Sequence, residues 1–405
     1  MFQNIIRRML QRRHFWRYAS FDEVAEIYAS RTMRILAQQM IGLFIALYLY
    51  QNGYSLEFIA LFFACMFAAR IFLAYPAGLF IAKFGPKHGS LVGNLLYIPA
   101  LICFTFVPEF GTPALVVFAI FQSISMVIYD LSYMVNFSKV KHADHAGKEI
   151  GYMLILERIT ASLSPFVGGA LAYLIAPEAT MWFSALFFAI ASVPLFRSKE
   201  PVRPNQKLTF RKFPLRLTHR TIIAETAVGF DNFSSLGIWA LFLAVVIFGN
   251  LSDEVYLIIG AFASVTVITS LLSAYWFGRI IDWRHGGDLL KVATIGNAMT
   301  HAFRAFISTP SGVVAANISN DIATTGYSMT FIRGIFDTAD RAKGYRIAYL
   351  CCISMALSAG ASMAAFTLFI LLNVTHDPAL AFRLFFVLAG SYVLLTLTAR
   401  FRLYR

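Results

Sequence analysis

The sequence predicts an all-α membrane protein: twelve transmembrane helices in two pseudo-symmetric six-helix bundles. Three observations predict it. Apolar residues make up 59% of the 405 residues and charged residues only 14%, too little charge to coat a soluble protein of this size, so lipid serves as the solvent. Apolar runs of the roughly 20 residues needed to cross the hydrocarbon recur along the whole chain. One stretch also occurs twice. Ala74-Tyr75-Pro76-Ala77-Gly78 leads into a turn holding Lys83, Gly85 and Lys87, and Ala274-Tyr275-Trp276-Phe277-Gly278 leads into one holding Arg279, Asp282 and Gly286. Matching turns at matching places mark an internal duplication.

Taken in order, the apolar runs are separated by connections of two alternating kinds. A basic segment, 1–28, precedes span 1 (29–51), and 51–57, with no Lys or Arg, leads to span 2 (56–82). The basic turn 83–90 leads to span 3 (89–107), and 108–112, again without Lys or Arg, to span 4 (113–137). Basic 137–151 precedes span 5 (151–175), and 176–179, free of Lys and Arg, precedes span 6 (179–197). Segment 197–220 carries eight basic residues and three prolines. Then come span 7 (220–249), the turn 250–256, span 8 (255–282), the basic turn 279–291, span 9 (289–308) and the turn 308–312. Span 10 (312–333), basic 333–346, span 11 (346–373), the turn 373–379, span 12 (379–400) and a basic end, 400–405, complete the chain. All 34 Lys and Arg but Arg31, Arg34, Arg70, Arg158, Arg304 and Arg383 fall on one set of connections. The positive-inside rule then places both termini in the cytoplasm. The expected organisation is a basic N-terminal segment 1–28, a bundle 29–197, a basic linker 198–219, a second bundle 220–400 and a tail 401–405.

The net charge of +13 does not point to nucleic acid, because the basic residues sit in turns rather than on a face or an arm. Cys65, Cys103, Cys351 and Cys352 lie inside apolar runs and read as small core residues, with neither disulfide nor zinc spacing. The N-terminus lacks the pattern of a cleaved signal peptide, since Asp22, Glu23 and Glu26 intervene before the first long apolar run. Residues 2–11 place Phe2, Ile5, Ile6, Met9 and Leu10 on one helical face and Arg7, Arg8 and Gln11 on the other. This fits either a helix lying on an anionic leaflet or a basic tail.

The halves agree when laid side by side. Gly42 answers to Gly237, Ser55-Leu56-Glu57 to Ser252-Asp253-Glu254, and Gly93-Asn94 to Gly296-Asn297. Ala143-Asp144-His145-Ala146 then Gly151-Tyr152 answers to Ala339-Asp340-Arg341-Ala342 then Gly344-Tyr345. Two six-span halves with a basic central loop resemble the major facilitator superfamily of secondary transporters. That family's signature after span 2 is G-x-x-x-D-[RK]-x-G-[RK]-[RK]. Gly78, Lys83, Gly85 and Lys87 match it, while Ala82 stands at the Asp position and Pro86 at a basic one. The second copy keeps Gly278 and Asp282. Ser164-Pro165-Phe166-Val167-Gly168-Gly169 is similar to the family's G-P-x-x-G-G motif with Ser for the first Gly. The resemblance covers residues 29–400 and says nothing of the substrate.

A charge inside a span costs about 2.5–3.5 kcal/mol on insertion scales, so each one needs a reason. Arg304 and Arg383 lie near outer span ends, where snorkelling accounts for them. Arg31 and Arg34 share a stripe with Gln38 and Gly42, either as positive-inside anchors or as a cationic vestibule for an anion. Arg70 lies midway between Glu57 and Lys83, near mid-membrane. It must pair with a carboxylate, bond carbonyls or face water, in a structural ion pair or in a substrate role. The acids inside spans are Asp130, Glu157, Asp231 and Asp321, with Glu225 closer to an end. Gln122, Ser125, Tyr129, Tyr133 and Asn136 share a face of span 4, with Asp130 at its edge. Asn317, Asp321, Thr324 and Ser328 share one of span 10. Such stripes must face protein or water. In span 7, Asp231-Asn232, Ser234-Ser235 and Trp239 offer a facing wall. Glu157 and Arg158 are adjacent and point apart. They read as a coupling proton site at Glu157 or as ion pairs near the cytoplasmic gate. Ser354, Ser358, Ser362, Gly360, Ala361 and Ala365 in span 11, and Gly168 and Gly169 in span 5, form small faces for close helix contact.

The resemblance implies that the first and fourth helices of each half line the cavity. The expected substrate site therefore lies between spans 1, 4, 7 and 10, with Arg34, Gln38, Tyr129, Asp130, Asp231, Asn232, Asn317 and Asp321 contributing, and Arg70 beside them. It leaves His301 on a peripheral span, as packing. Expected coupling or gating residues are Glu157, Arg158, Gly78, Lys83, Lys87 and Asp282. In the family the motif's Asp is held to fasten the halves on the cytoplasmic side. Its loss at Ala82 and retention at Asp282 imply a one-sided latch: Asp282 against the start of span 5 near Lys148, Gly151 and Tyr152, and the first turn gripping span 11 through Lys83 and Lys87 alone. The reading that results is a monomeric secondary transporter in a bacterial inner membrane. It moves a small organic solute, anionic or zwitterionic, by proton coupling or exchange, with no cofactor and no metal. The sequence shows no nucleophilic triad, metal cluster or phosphate loop, so an enzyme is not expected. The rivals are an exporter of amphipathic drugs or lipids, and a non-transporting receptor or scaffold.

Overall fold

The computed structural model describes residues 21–140, 146–196, 206, 208–249, 252–283 and 285–404. The amphipathic segment expected over 2–11 lies outside them. Every regular element among the described residues is helical. Helix α1 runs Phe21–Gly42 and resumes as Ile45–Gln51. It is followed by α2 (Leu56–Phe84), α3 (Pro86–Thr105), α4 (Thr112–Val140), α5 (Ala146–Leu174) and α6 (Pro177–Ser192). In the second half, α7 (Leu215–Asn232) continues through two π-helical stretches, Phe233–Gly237 and Leu243–Phe248. Helix α8 runs Glu254–Ser264 and Val267–Asp282, and α9 (Gly286–Arg304), α10 (Pro310–Arg341), α11 (Arg346–Thr375) and α12 (Pro378–Val393) complete the set.

Nine of these stretches are long and apolar enough to cross a membrane by length and composition. Helices α5, α9 and α10 fall outside that group although they have 29, 19 and 32 residues. They carry Glu157 and Arg158, His301 and Arg304, and Asn317 and Asp321, polar groups that in lipid must turn toward protein or water. The arrangement is consistent with the twelve expected spans.

The repeated turn has a local cause. Helix α2, 29 residues long, is about 44 Å at 1.5 Å per residue, more than the ~30 Å of hydrocarbon, so its last turn reaches the interface. Gly85 ends it at φ 95°, a conformation costly for any residue with a Cβ, and Pro86 opens α3, where its missing N–H is no loss. At the other end, Ser55 Oγ accepts from the Phe58 N–H at 3.1 Å, a cap worth about 1 kcal/mol.

The halves pack through α2 on α11 and α5 on α8. Ser362 Oγ donates to the Ala64 carbonyl at 2.9 Å, and the site of a Cβ on Gly78 is taken by Cys351 Sγ. Between α5 and α8, Gly169 lies against the Tyr256 carbonyl and Gly260 against the Pro165 carbonyl, with no room for a Cβ at either. The halves touch at both ends. On the face that carries the basic connections, Phe137 of α4 stands 5.4 Å from Phe336 of α10, and Arg346 of α11 donates to the Ser138 carbonyl at 3.0 Å. On the opposite face, Tyr256 of α8 lies 5.1 Å from Phe44 of α1 and bonds Gln51.

The end of the linker straps α2 to α11 on the basic face. The Gln206 N–H donates to the Ala82 carbonyl at 2.8 Å, and Leu208 covers Gly78. The Phe210 ring lies 6.0 Å from Tyr75 and the Phe213 ring 6.1 Å from Tyr345, whose hydroxyl donates to the Arg211 carbonyl at 2.8 Å. The position of the missing carboxylate, Ala82, is thus held by backbone from the linker. Replacing Phe210 and Phe213 together by alanine is expected to cost about 1–2 kcal/mol from lost ring contacts, read as a lower melting temperature in detergent. An unchanged melting curve would show that the strap adds nothing.

Candidate functional site

Three polar clusters lie inside the helices. The first belongs to the N-terminal half. Arg34 of α1 is fully buried; Nη1 donates to Asn94 Oδ1 of α3 at 3.0 Å, and Nη2 lies 3.4 Å from Met126 Sδ. The guanidinium lies 3.7 Å from the Tyr129 ring centroid, with Phe188 at 5.1 Å and Tyr97 at 5.6 Å. Among the described residues no carboxylate pairs with it, so the ring faces and Asn94 hold the charge, in a setting where a desolvated cation–π contact is worth about 2 kcal/mol. Tyr129 can come so close because Gly93 leaves space against its Cβ. One layer on, Arg70 of α2 donates to Gln122 Oε1 of α4, and Gln122 Nε2 donates to Tyr97 OH at 3.2 Å. The Arg70 guanidinium also stands 4.5 Å over Phe67, which packs on Phe233 of α7.

The second cluster belongs to the C-terminal half. Asp231 of α7 accepts from His301 Nε2 of α9 at 2.7 Å, and from the Tyr327 hydroxyl of α10. A carboxylate only accepts, which fixes the proton on His301 Nε2. Ser235, in the first π-helical stretch, lies 3.1 Å from Asp231 Oδ1 and accepts from Arg304 Nη1 at 3.0 Å. Arg304 lies 4.5 Å over Trp239. The indole N–H of Trp239 donates to Asn317 Oδ1 at 2.8 Å, and Asn317 Nδ2 donates to the Phe262 carbonyl at 3.0 Å.

The third cluster joins the halves. Arg31 Nε of α1 bonds Glu157 Oε1 at 2.9 Å, Tyr133 OH donates to the same oxygen at 3.0 Å, and Asp130 Oδ1 lies 3.8 Å from Arg31 Nη1. The next residue along α5, Arg158, reaches across to α10. Its Nη1 is 3.4 Å from Asp321 Oδ1, and its Nη2 donates to Ser328 Oγ at 3.2 Å. Arg158 and Asp130 keep some exposure, 25% and 38% of their side chains. They are therefore the charges of the interior that water or a solute reaches most readily.

Residues 27–365 match the family model of the Major Facilitator Superfamily. The chain belongs to that superfamily. It is accordingly an integral multi-pass membrane protein and a membrane transporter. Three solved transporter structures resemble it in fold. A POT family transporter in complex with 5-aminolevulinic acid has TM-score 0.68 and 11% identity, over 95% of this chain and 97% of that one. The human organic anion transporter MFSD10 (TETRAN) has TM-score 0.67 and 14% identity, over 94% and 98%. FucP in the outward conformation has TM-score 0.64 and 9% identity, over 93% and 98%. At these identities the likeness carries the fold alone. No curated protein matches the chain in sequence.

The residues expected between spans 1, 4, 7 and 10 of this superfamily member separate into different surroundings. Arg34 and Tyr129 lie inside the N-terminal half, with α3 and α6 as neighbours. Asp231 and Asn317 lie inside the C-terminal half. Asn232 is exposed and takes no part in the Asp231 cluster, and Gln38 is half-buried. Arg158 and Asp321 do meet between the halves, while Asp130 and Glu157 beside them pair with Arg31 inside the N-terminal half. Two expectations are corrected. Arg304 does not snorkel to a membrane interface: it is 1% exposed, drawn inward because α9 turns that face toward Ser235 and Trp239. His301 on the same face is a partner of Asp231 and not mere packing. The spacing His301, Arg304 on one face of α9, opposite Asp231 and Ser235, was the available signal. Of the first motif turn, Lys87 Nζ lies 3.5 Å from Glu26 of α1, and Lys83 is exposed over Phe84. Gly78 of the same motif packs against Cys351 of α11. The side chains of Asp282, Lys148, Gly151 and Tyr152, on which the expected other half of the latch rests, lie outside the described residues.

Proposed function

We propose that the protein is a secondary active transporter that moves a small organic anion or zwitterion by alternating access, coupled to protons or by exchange. Its termini face the cytoplasm, and a bacterial inner membrane is its setting. Arg70 carries the reading. It lies near mid-membrane, 7% exposed, with one amide and one ring for partners and, among the described residues, no carboxylate within 4.0 Å. An unneutralised guanidinium in low dielectric is costly to maintain, and its Nε has no hydrogen-bond partner. A solute carboxylate that reaches Arg70 supplies both the missing charge and the missing acceptor. Charge-assisted bonds of this kind contribute about 1.5–3 kcal/mol, or roughly 10–100-fold in affinity.

The test is a stabilisation screen of organic acids on purified protein, followed by flux of the hits in proteoliposomes. Arg70→Gln is expected to lower anion flux by about 10–100-fold, with expression and melting temperature near those of the wild type. Anion flux unaltered in Arg70→Gln, or flux of hydrophobic cations indifferent to it, would overturn the anion reading. The absence of any flux in wild-type liposomes would overturn the transporter reading of this chain.

A further inference from the structure

Residues 399–404, which follow α12, fold back onto the basic face of their own half. Phe401 is 4% exposed. Its ring fills the space that a Cβ on Gly334 of α10 would take, and lies 5.4 Å from the Phe331 ring. One 3₁₀ turn further on, in Arg402–Tyr404, the Tyr404 ring fills the space over Gly286 at the start of α9. Its hydroxyl donates to the Thr330 carbonyl of α10 at 2.9 Å. A Cβ on Gly287 would stand 3.2 Å from the Tyr404 Cβ. Three glycines thus leave a seat between α9 and α10, and two rings occupy it. The linker treats the first half in a similar way, where Gln206 bonds the end of α2 and Leu208 covers Gly78. Each repeated turn is therefore covered by the segment that follows the sixth helix of its half.

The seat lies behind the surface through which α10 meets the other half. Asp321 and Ser328 bond Arg158, and Phe336 packs on Phe137. At about 100° per residue, these three positions lie roughly 140–160° round the helix from the midpoint of Thr330 and Gly334. For the end of α10 to draw back from α4 it must move toward the face that carries the two rings, and the rings fill that space. We propose that Phe401 and Tyr404 form a wedge that holds the basic face closed. With the rings seated, α10 is pressed between them and the N-terminal half. With the rings withdrawn, the bare surface at Gly334 lets the end of α10 retreat, and Phe336 parts from Phe137. The inference rests on the reading of the chain as a transporter whose basic face opens and closes.

The full-length protein is used with its four cysteines replaced and S138C added, a buried position under Arg346 at the contact between the halves. Phe401→Ala is expected to raise maleimide labelling of S138C roughly tenfold. Tyr404→Phe, which loses one hydroxyl, is expected to raise it roughly threefold, and keeps the wedge testable should Phe401→Ala not accumulate. The control is A46C, a buried position of α1 toward the opposite face, whose labelling should not change. S138C labelling at the parent level in both variants overturns the proposal, since the segment would then simply travel with its half. Equal rises at S138C and A46C also overturn it, because they report general loosening. The docking has its own check. A disulfide needs Cβ atoms about 3.5–4.5 Å apart, close to the spacing at Gly287 and Tyr404, so G287C/Y404C should cross-link on mild oxidation. No cross-link at that pair overturns the seat itself. None of these readouts involves an organic anion, so a protein that moves no anion refutes the function proposed above and leaves the wedge standing.

Discussion

Replacing Gly360 by leucine is expected to abolish accumulation of folded protein, while Gly42→Ala leaves it unchanged. The two glycines differ only in what surrounds them. A Cβ on Gly360 would overlap the Thr226 carbonyl of α7 and press on the Phe230 amide; across the same crossing, a Cβ on Gly229 would overlap the Leu357 carbonyl. Around Gly42 nothing lies within 4 Å of that position. Inside a bilayer no hydrophobic force drives helices together, so the backbone contact that small residues permit is itself the source of association. The obstructing atoms at Gly360 are backbone, which cannot rotate aside, and the helices must separate along the crossing. Overpacking costs about 1–3 kcal/mol where side chains can yield, and here they cannot. We therefore expect a loss of about 4 kcal/mol or more, a large part of the ~5–15 kcal/mol that holds a folded protein. Size-exclusion profiles of tagged protein and melting temperatures in detergent report it. A monodisperse Gly360→Leu protein that melts like the wild type would mean that α7 and α11 are not packed in this way.

That crossing was legible in the sequence as the small-residue face of span 11, as were Gly168 and Gly169. Small residues in a lipid-embedded helix have one dominant use, so the pattern reads almost without ambiguity. The fold class was legible for a similar reason, because backbone satisfaction in lipid admits few solutions. The site was only partly legible. Periodicity placed Gln122, Ser125, Tyr129 and Asn136 on one face and showed that this face meets protein or water. It could not distinguish a face turned into its own half from one turned toward the opposite half, and the structure turns most of it inward, onto α3. Asp130, at the edge of the stripe, keeps its exposure. The sequence likewise gave no way to pair Asp231 with His301 or Arg158 with Asp321, since such pairs depend on which helices touch. Glu225, which the sequence places toward an end of span 7, is buried on α7 by the helix packing.

The pair Arg158–Asp321 carries the second large effect. It spans the halves, with Nη1 3.4 Å from Oδ1 and the two side chains 25% and 12% exposed, while the neighbouring Glu157 is held by Arg31 and Tyr133 of its own half. Consecutive residues of α5 thus fasten in opposite directions, one within the half and one across it. For α5 and α10 to move apart, the crossing bond must break, and each charge then needs water, a solute or a proton. Removing one member leaves the other in that position permanently. For a fully buried pair the loss is about 3–5 kcal/mol, and the partial exposure here reduces it to roughly 1–3 kcal/mol. Arg158→Gln and Asp321→Asn should each lower the melting temperature and reduce flux by at least about 30-fold, some 2 kcal/mol in transition-state terms. The double variant is the decisive one. With both charges gone no unpaired ion remains, so stability should return by about 0.5–3 kcal/mol relative to the sum of the single losses. Flux should stay low, because a neutral pair cannot exchange a bond between halves for a bond to an anion. Recovery of flux along with stability in Arg158→Gln/Asp321→Asn would reduce the pair to a structural tie, and strictly additive stability losses would mean that the two charges do not interact.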